Sequence, residues 1–168
     1  VSGTHHLQLL RTIPRFNYSF FNCLPEGEPI TLDPENTDNG IFEVRTAWRK
    51  AILAAEKYIY MEDQSYWSVE VMSWINESIK NRSDLRVILL TSGLADPNDP
   101  ALPPYQSVAF HEGLMKGLGA AQRDQIICAK RGGSFVQAKT TLIDDHWAII
   151  GSANCMRRSL YTELEHKK

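Results

Sequence analysis

Two stretches near the C-terminal end carry side chains able to grip a phosphoryl group. Gln137 and Lys139 stand two apart in a β-prone run, so on an extended strand both leave the same face. Thr141 and Ile143 continue that alternation. The next run, His146 to Ile150, passes into Gly151-Ser152-Ala153-Asn154. Glycine and small polar residues at a strand exit permit close backbone approach and supply hydroxyl and amide donors. Asp144-Asp145 makes a natural tight turn, and pairing across it would bring Lys139 near Ser152 and Asn154. An ammonium beside a hydroxyl and a carboxamide is a phosphate cradle. On spacing alone, an ordinary hairpin with a surface lysine is the simpler reading.

The elements that must position these residues follow from periodicity. His5 to Thr12 reads as a short apolar strand. Asn22 to Gly40, with Pro25, Pro29 and Pro34, has loop composition. Asp38 suits an N-cap for a helix over Ile41 to Lys57, whose Ile41, Val44, Trp48, Ala51, Ile52 and Ala55 recur at helical spacing. Strands are expected at Tyr58–Glu62 and Leu85–Leu90, with a helix over Val69–Lys80 between them that presents Val69, Met72, Ile75 and Ile79. A Pro-rich loop from Gly93 to Pro104 precedes a third helix, about Gln106 to Leu118, which Gly119 would end. Three strands close the order: Gln125–Ala129, Ser134–Ile143 and His146–Ile150. This alternation predicts an α/β fold with a mixed β-sheet flanked by helices, as one domain over residues 1–168.

Composition narrows the function. The 168 residues are 43% hydrophobic and 23% charged, enough for a packed core. Lysine and arginine number 18 against 20 acidic residues, a formal net charge of −2, so general nucleic-acid binding is disfavoured and any phosphate affinity must be local. No apolar run approaches the roughly 18 residues of a membrane span, so the expectation is a soluble or membrane-peripheral chain. Cys23, Cys128 and Cys155 are too few and too scattered for a disulfide framework or zinc site, and the compartment stays open. The chain starts at Val1 and stops at Lys168 without a closing element, which reads as a chain cut at both ends.

The Phe135–Glu165 stretch resembles the second signature of the phospholipase D superfamily, His-x-Lys-x-x-x-x-Asp followed by Gly-Ser-x-Asn. Lys139, Asp144, Gly151, Ser152 and Asn154 match it, and Arg158-Ser159 with Glu163 and Glu165 extends the match. Upstream, Leu9-Leu10-Arg11-Thr12, Trp48-Arg49-Lys50-Ala51-Ile52 and Tyr58 to Gln64 resemble the C-terminal half of two-motif enzymes of that family. The resemblance covers nearly the whole chain. It implies a phospholipase D-like half-domain whose complete parent cleaves or transfers phosphodiesters, glycerophospholipids above all, through a phosphohistidine. It further implies that Lys139 and Asn154 hold phosphate oxygens, that Ser152 lines the pocket, and that Asp144 shapes the turn. Glu165, or less so Glu163, would orient a histidine of the opposite half. No metal or other cofactor is implied.

This sequence departs from the signature where its histidine belongs, at Gln137. An amide neither titrates near neutral pH nor offers a nucleophilic nitrogen. Losing a nucleophile or its base costs roughly six orders of magnitude in a well-studied hydrolase. The chain alone is therefore expected to turn over little. A complete site needs a missing N-terminal half or a second copy. The alternatives are a homodimeric phosphodiesterase or nuclease of the same superfamily, and a non-catalytic phosphate- or lipid-binding module. His146, His111, His5 and His6 are weak candidates to replace the missing imidazole. Arg157-Arg158 could meet lipid headgroups in a peripheral membrane contact, and Tyr66, Trp67 and Trp74 could line a groove, although aromatics at such spacing more often form core.

Overall fold

The computed structural model describes residues 5–13, 41–92, 102–132 and 135–160. Strands β1 (Thr12–Ile13) and β2 (Ile41–Phe42) form a small antiparallel pair. Helix α1 (Glu43–Ala54), strand β3 (Tyr58–Glu62), helix α2 (Val69–Asn81) and strand β4 (Arg86–Ser92) follow. Helix α3 (Leu102–Val108) runs into a π-helical segment, Ala109–Leu114, and then the short α4 (Ala120–Arg123). Strands β5 (Ile126–Arg131), β6 (Thr140–Ile143) and β7 (Trp147–Ile150) precede α5 (Arg157–Leu160).

The main sheet has the order β5-β4-β3-β6-β7. Strands β3, β4 and β5 are parallel, whereas β6 runs antiparallel to both β3 and β7. This is the mixed α/β sheet flanked by helices that the alternation of elements predicts. Its inner face is set by the period of two: Ile59 and Met61, Val87 and Leu89, and Thr141 and Ile143 are all buried. Against them pack Val44, Trp48, Ala51 and Ile52 of α1 and Val71, Met72, Ile75 and Ile79 of α2. The helices are tied together by Ser78 Oγ, which donates to Ile52 O at 2.8 Å, and by an Arg45–Glu70 ion pair. Helix α2 starts at Ser68, whose hydroxyl accepts the Val71 N–H, with Glu70 in the first turn. The outer face carries half-buried Tyr60, Ile88, Leu90 and Leu142, with Ile127 and Ile150 exposed.

Several boundaries differ from the sequence expectation. The first strand shrinks to Thr12–Ile13, and Leu7 and Leu9 lie on the surface at 96% and 84% exposure. Ile41 belongs to β2, and the helix starts only at Glu43; the Asp38 cap lies outside the described residues. Val69, expected on the inner side of α2, is its first residue and is exposed, while Val71 takes a buried place. The third helix begins earlier, at Leu102, with Pro103 and Pro104 in its first turn, where no backbone N–H is needed. It ends sooner too, and Gly117, at φ +70°, takes the left-handed turn assigned to Gly119. Its last stretch is π-helical where Gly113 meets α2; a Cβ there would lie 2.6 Å from Met72 Cβ and 2.8 Å from Val69 O.

Candidate functional site

The carboxyl ends of β3, β4 and β5 lie along one edge of the sheet, where β6 begins and β7 ends. In open α/β sheets this edge, where the chain changes direction, is the usual place for a ligand. Residues 135–139 cross it from β5 to β6. They are not part of a strand, contrary to the expected Ser134–Ile143 element: Val136 is buried, and its N–H donates to Ser92 Oγ at 2.8 Å, turning the chain away from sheet pairing. Gln137 and Lys139 consequently sit on an irregular approach to β6, with Gln137 exposed and Lys139 half-buried.

Lys139 is held by two acceptors. Its Nζ donates to Gln137 O at 2.7 Å and to Gln64 Oε1 at 3.3 Å. The hairpin register places Thr140 opposite Ile150, and Gly151 N–H donates to Lys139 O at 3.2 Å, so the β7 exit is stitched to the lysine backbone. Lys139, Gly151 and Ser152 line one cleft of about 1210 Å³ along β7, with Trp48 and Val44 of α1 and residues 6–10 on its other walls. Ser152 is exposed there. Asn154 is half-buried; its backbone N–H donates to Ser159 Oγ at 3.1 Å, and its Oδ1 is buried without a hydrogen-bond partner among the described residues.

Asp144 lies at the other end of the hairpin. It and Asp145 adopt φ of 53° and 57°, the left-handed pair that a two-residue turn demands. The Asp144 carboxylate accepts the backbone N–H groups of Glu56, Lys57 and Tyr58 at 2.5, 2.8 and 2.8 Å. Desolvation works against its charge, yet those amides keep its carboxyl below the ordinary value. Its geometry is that of a structural anchor, far along the strands from Lys139. Glu163 and Glu165 fall outside the described residues, and nothing of the Arg158 side chain is described.

The histidines scatter. His146 Nδ1 meets Asp144 O at the hairpin turn, and His111 is exposed on the π-helical segment. His6 lines the far wall of the same cleft as Lys139. Tyr66 and Trp74 are core: the Tyr66 hydroxyl lies 2.7 Å from Met61 O and 2.8 Å from Leu90 O. The Trp67 ring packs at a 38° tilt against exposed Tyr105, centroids 5.6 Å apart.

One residue that spacing did not single out stands at the centre of this edge. Asp63, 2% exposed, follows β3 directly. Its Oδ1 accepts Ser65 N–H at 3.0 Å and its Oδ2 accepts Cys155 N–H at 2.8 Å. Burial lifts its carboxyl to about 7, against the pull of the Ser65 and Cys155 amides and of nearby Lys139. The sequence signal was the Asp-x-Ser pattern at a strand exit, which favours a side-chain-capped turn.

This α/β fold, a five-stranded mixed sheet flanked by helices, is similar to that of a phospholipase D family member. A particular solved structure with it is the crystal structure of a phospholipase D family member, Nuc from Salmonella typhimurium. The two superpose with a TM-score of 0.54 at 16% identity, over 78% of this chain and 72% of that one. No family model and no curated protein matches the sequence. Among the described residues no helix is long and apolar enough to cross a membrane.

Proposed function

We propose that the chain is the phosphate-gripping half of a phospholipase D-type phosphodiesterase, acting on phosphodiesters of glycerophospholipids when its site is completed. The observation that carries this reading is the joining of Lys139 to the β7 exit. The Gly151–Lys139 backbone bond holds Lys139 beside the β7 exit that bears Ser152 and Asn154, and Lys139 and Ser152 line one cleft. Lys139 would neutralise phosphoryl charge, Ser152 and Asn154 would hydrogen-bond its oxygens, and the exposed Gln137 amide would occupy the seat of the imidazole. Gln137 can donate a hydrogen bond but cannot attack phosphorus or protonate a leaving alcohol. The histidine for chemistry would come from an N-terminal half or from a second copy. The apolar outer sheet face, with Ile127 and Ile150 exposed, supports such a partner.

The test is to express the full reading frame and compare Gln137 with Gln137→His on a short-chain phosphatidylcholine. Recovery of turnover by several orders of magnitude in the histidine variant is expected. Equal rates would overturn the role given to position 137.

A further inference from the structure

Two turns wall in Lys139, one after β3 and one after β7, and both hang on a single buried side chain. The first wall is the turn after β3: the Ser65 N–H bond to Asp63 Oδ1 closes that turn, and Gln64 within it reaches Lys139 Nζ. Thr91 Oγ1 adds a bond to Gln64 O at 3.0 Å. The second wall is the β7 exit with Ser152 and Asn154. Cys155 N–H donates to Asp63 Oδ2, while Cys155 O accepts Trp67 and Ser68 N–H at 2.9 and 3.1 Å. We propose that Asp63 is the positioning residue of this site: its ionised carboxylate, bridging Ser65 and Cys155, fixes Gln64–Lys139 against Ser152–Asn154 and couples the two walls. The proposal rests on the phosphate-binding reading of that cleft for its consequence, not for its geometry.

The chemistry is constrained by oxygen count. Both carboxylate oxygens accept a backbone N–H, so a proton on either oxygen weakens it as an acceptor and loosens one wall. Protonation is within reach, since burial brings this carboxyl to about 7. Among the described residues, the charged and titratable groups around it are Lys139 before β6, Cys155 at the β7 exit and Tyr66 on the turn, with Tyr60 and Glu62 on β3, while the end of β4 brings the neutral Thr91 and Ser92. Burial pushes both Cys155 and Tyr66 up, so they stay neutral and Lys139 is the counter-charge.

Positioning and simple electrostatics give opposite signs, which makes the idea testable. Asp63→Asn removes a negative charge from beside an anion site, so a purely electrostatic role predicts tighter anion binding. A positioning role predicts binding weaker by about tenfold, because the amide cannot accept from both walls. The probe is dimethyl phosphate, whose charge is constant from pH 5.5 to 8.5, followed by amide chemical shifts of the chain. Without probe, Ser65 and Cys155 amides should titrate together with one midpoint near neutrality. Separate midpoints, or a titration seen at only one of the two amides, would overturn the proposal even where Asp63→Asn does not fold. Unweakened or tighter binding by a folded Asp63→Asn chain would also overturn it. Should dimethyl phosphate move no resonance of the unsubstituted chain while the paired titration is present, the phosphate reading fails and the coupling of the walls stands.

Discussion

Asp144, in the β6–β7 turn, accepts the Tyr58 backbone N–H at 2.8 Å and so pins the start of the central strand from the far end of the hairpin. The same carboxylate takes Glu56 and Lys57 N–H, three amides that would otherwise be orphans after α1. Asp144→Ala should therefore destabilise the fold by about 2 kcal/mol, as lost charge-assisted bonds of this kind do. Urea unfolding measures it. Dimethyl phosphate affinity of the chain that remains folded should change less than twofold, which separates an anchor from a ligand-touching group.

Asp63 gives stability an unusual pH dependence. Its carboxyl is raised in the folded state to about 7, well above its unfolded value, so its favourable contribution is complete at low pH and is lost as pH rises through 7. The span corresponds to roughly 4 kcal/mol at most, at about 1.4 kcal/mol per tenfold change in proton affinity. Asp144, held low, acts with the opposite sign and only in the acid range. The melting temperature should fall between pH 5 and pH 8, and Asp63→Asn should flatten that slope. A profile that rises over this interval would contradict the burial argument.

Gly113 marks the closest approach of the π-helical segment to α2. An added methyl would meet backbone as well as side chain, at 2.8 Å from Val69 O, and neither helix can yield cheaply. Gly113→Ala should cost about 2 kcal/mol or more, read by thermal unfolding, despite being a favourable helix substitution in isolation.

Lys139→Met should abolish measurable dimethyl phosphate binding while leaving the melting temperature within a few degrees. Its half-buried ammonium bonds two neutral acceptors, Gln137 O and Gln64 Oε1, and Asp63 can take up a proton when that counter-charge is gone, so Lys139 is more dispensable to the fold than to an anion. Retained binding in the methionine variant would refute the assignment of the cleft.

The elements that follow a clean period were legible in the sequence. Tyr58–Glu62 alternates, Val87 and Leu89 fill a buried strand, and α1 and α2 repeat their apolar residues at helical spacing. What escaped was decided by tertiary contacts. Leu7 and Leu9 look like a strand, but among the described residues only Thr12 and Ile13 in that region find a strand partner. Gln137 and Lys139 alternate as strand residues do, yet burial of Val136 and its bond to Ser92 draw the chain off the sheet. Asp63 was hidden for a related reason. A lone acidic residue after a strand looks like solvated surface until Cys155, 92 positions away, brings its amide to it.

Strand β3 is bonded on both sides, to β4 and to β6, so its reading frame is fixed twice over. A single-residue insertion or deletion between Tyr58 and Glu62 would be resisted by both neighbours and would push the error outward into the turn. There a deletion would present Gln64 to the Cys155 backbone, whereas an insertion would set Asp63 against Lys139. Length, more than composition, is what this strand must preserve.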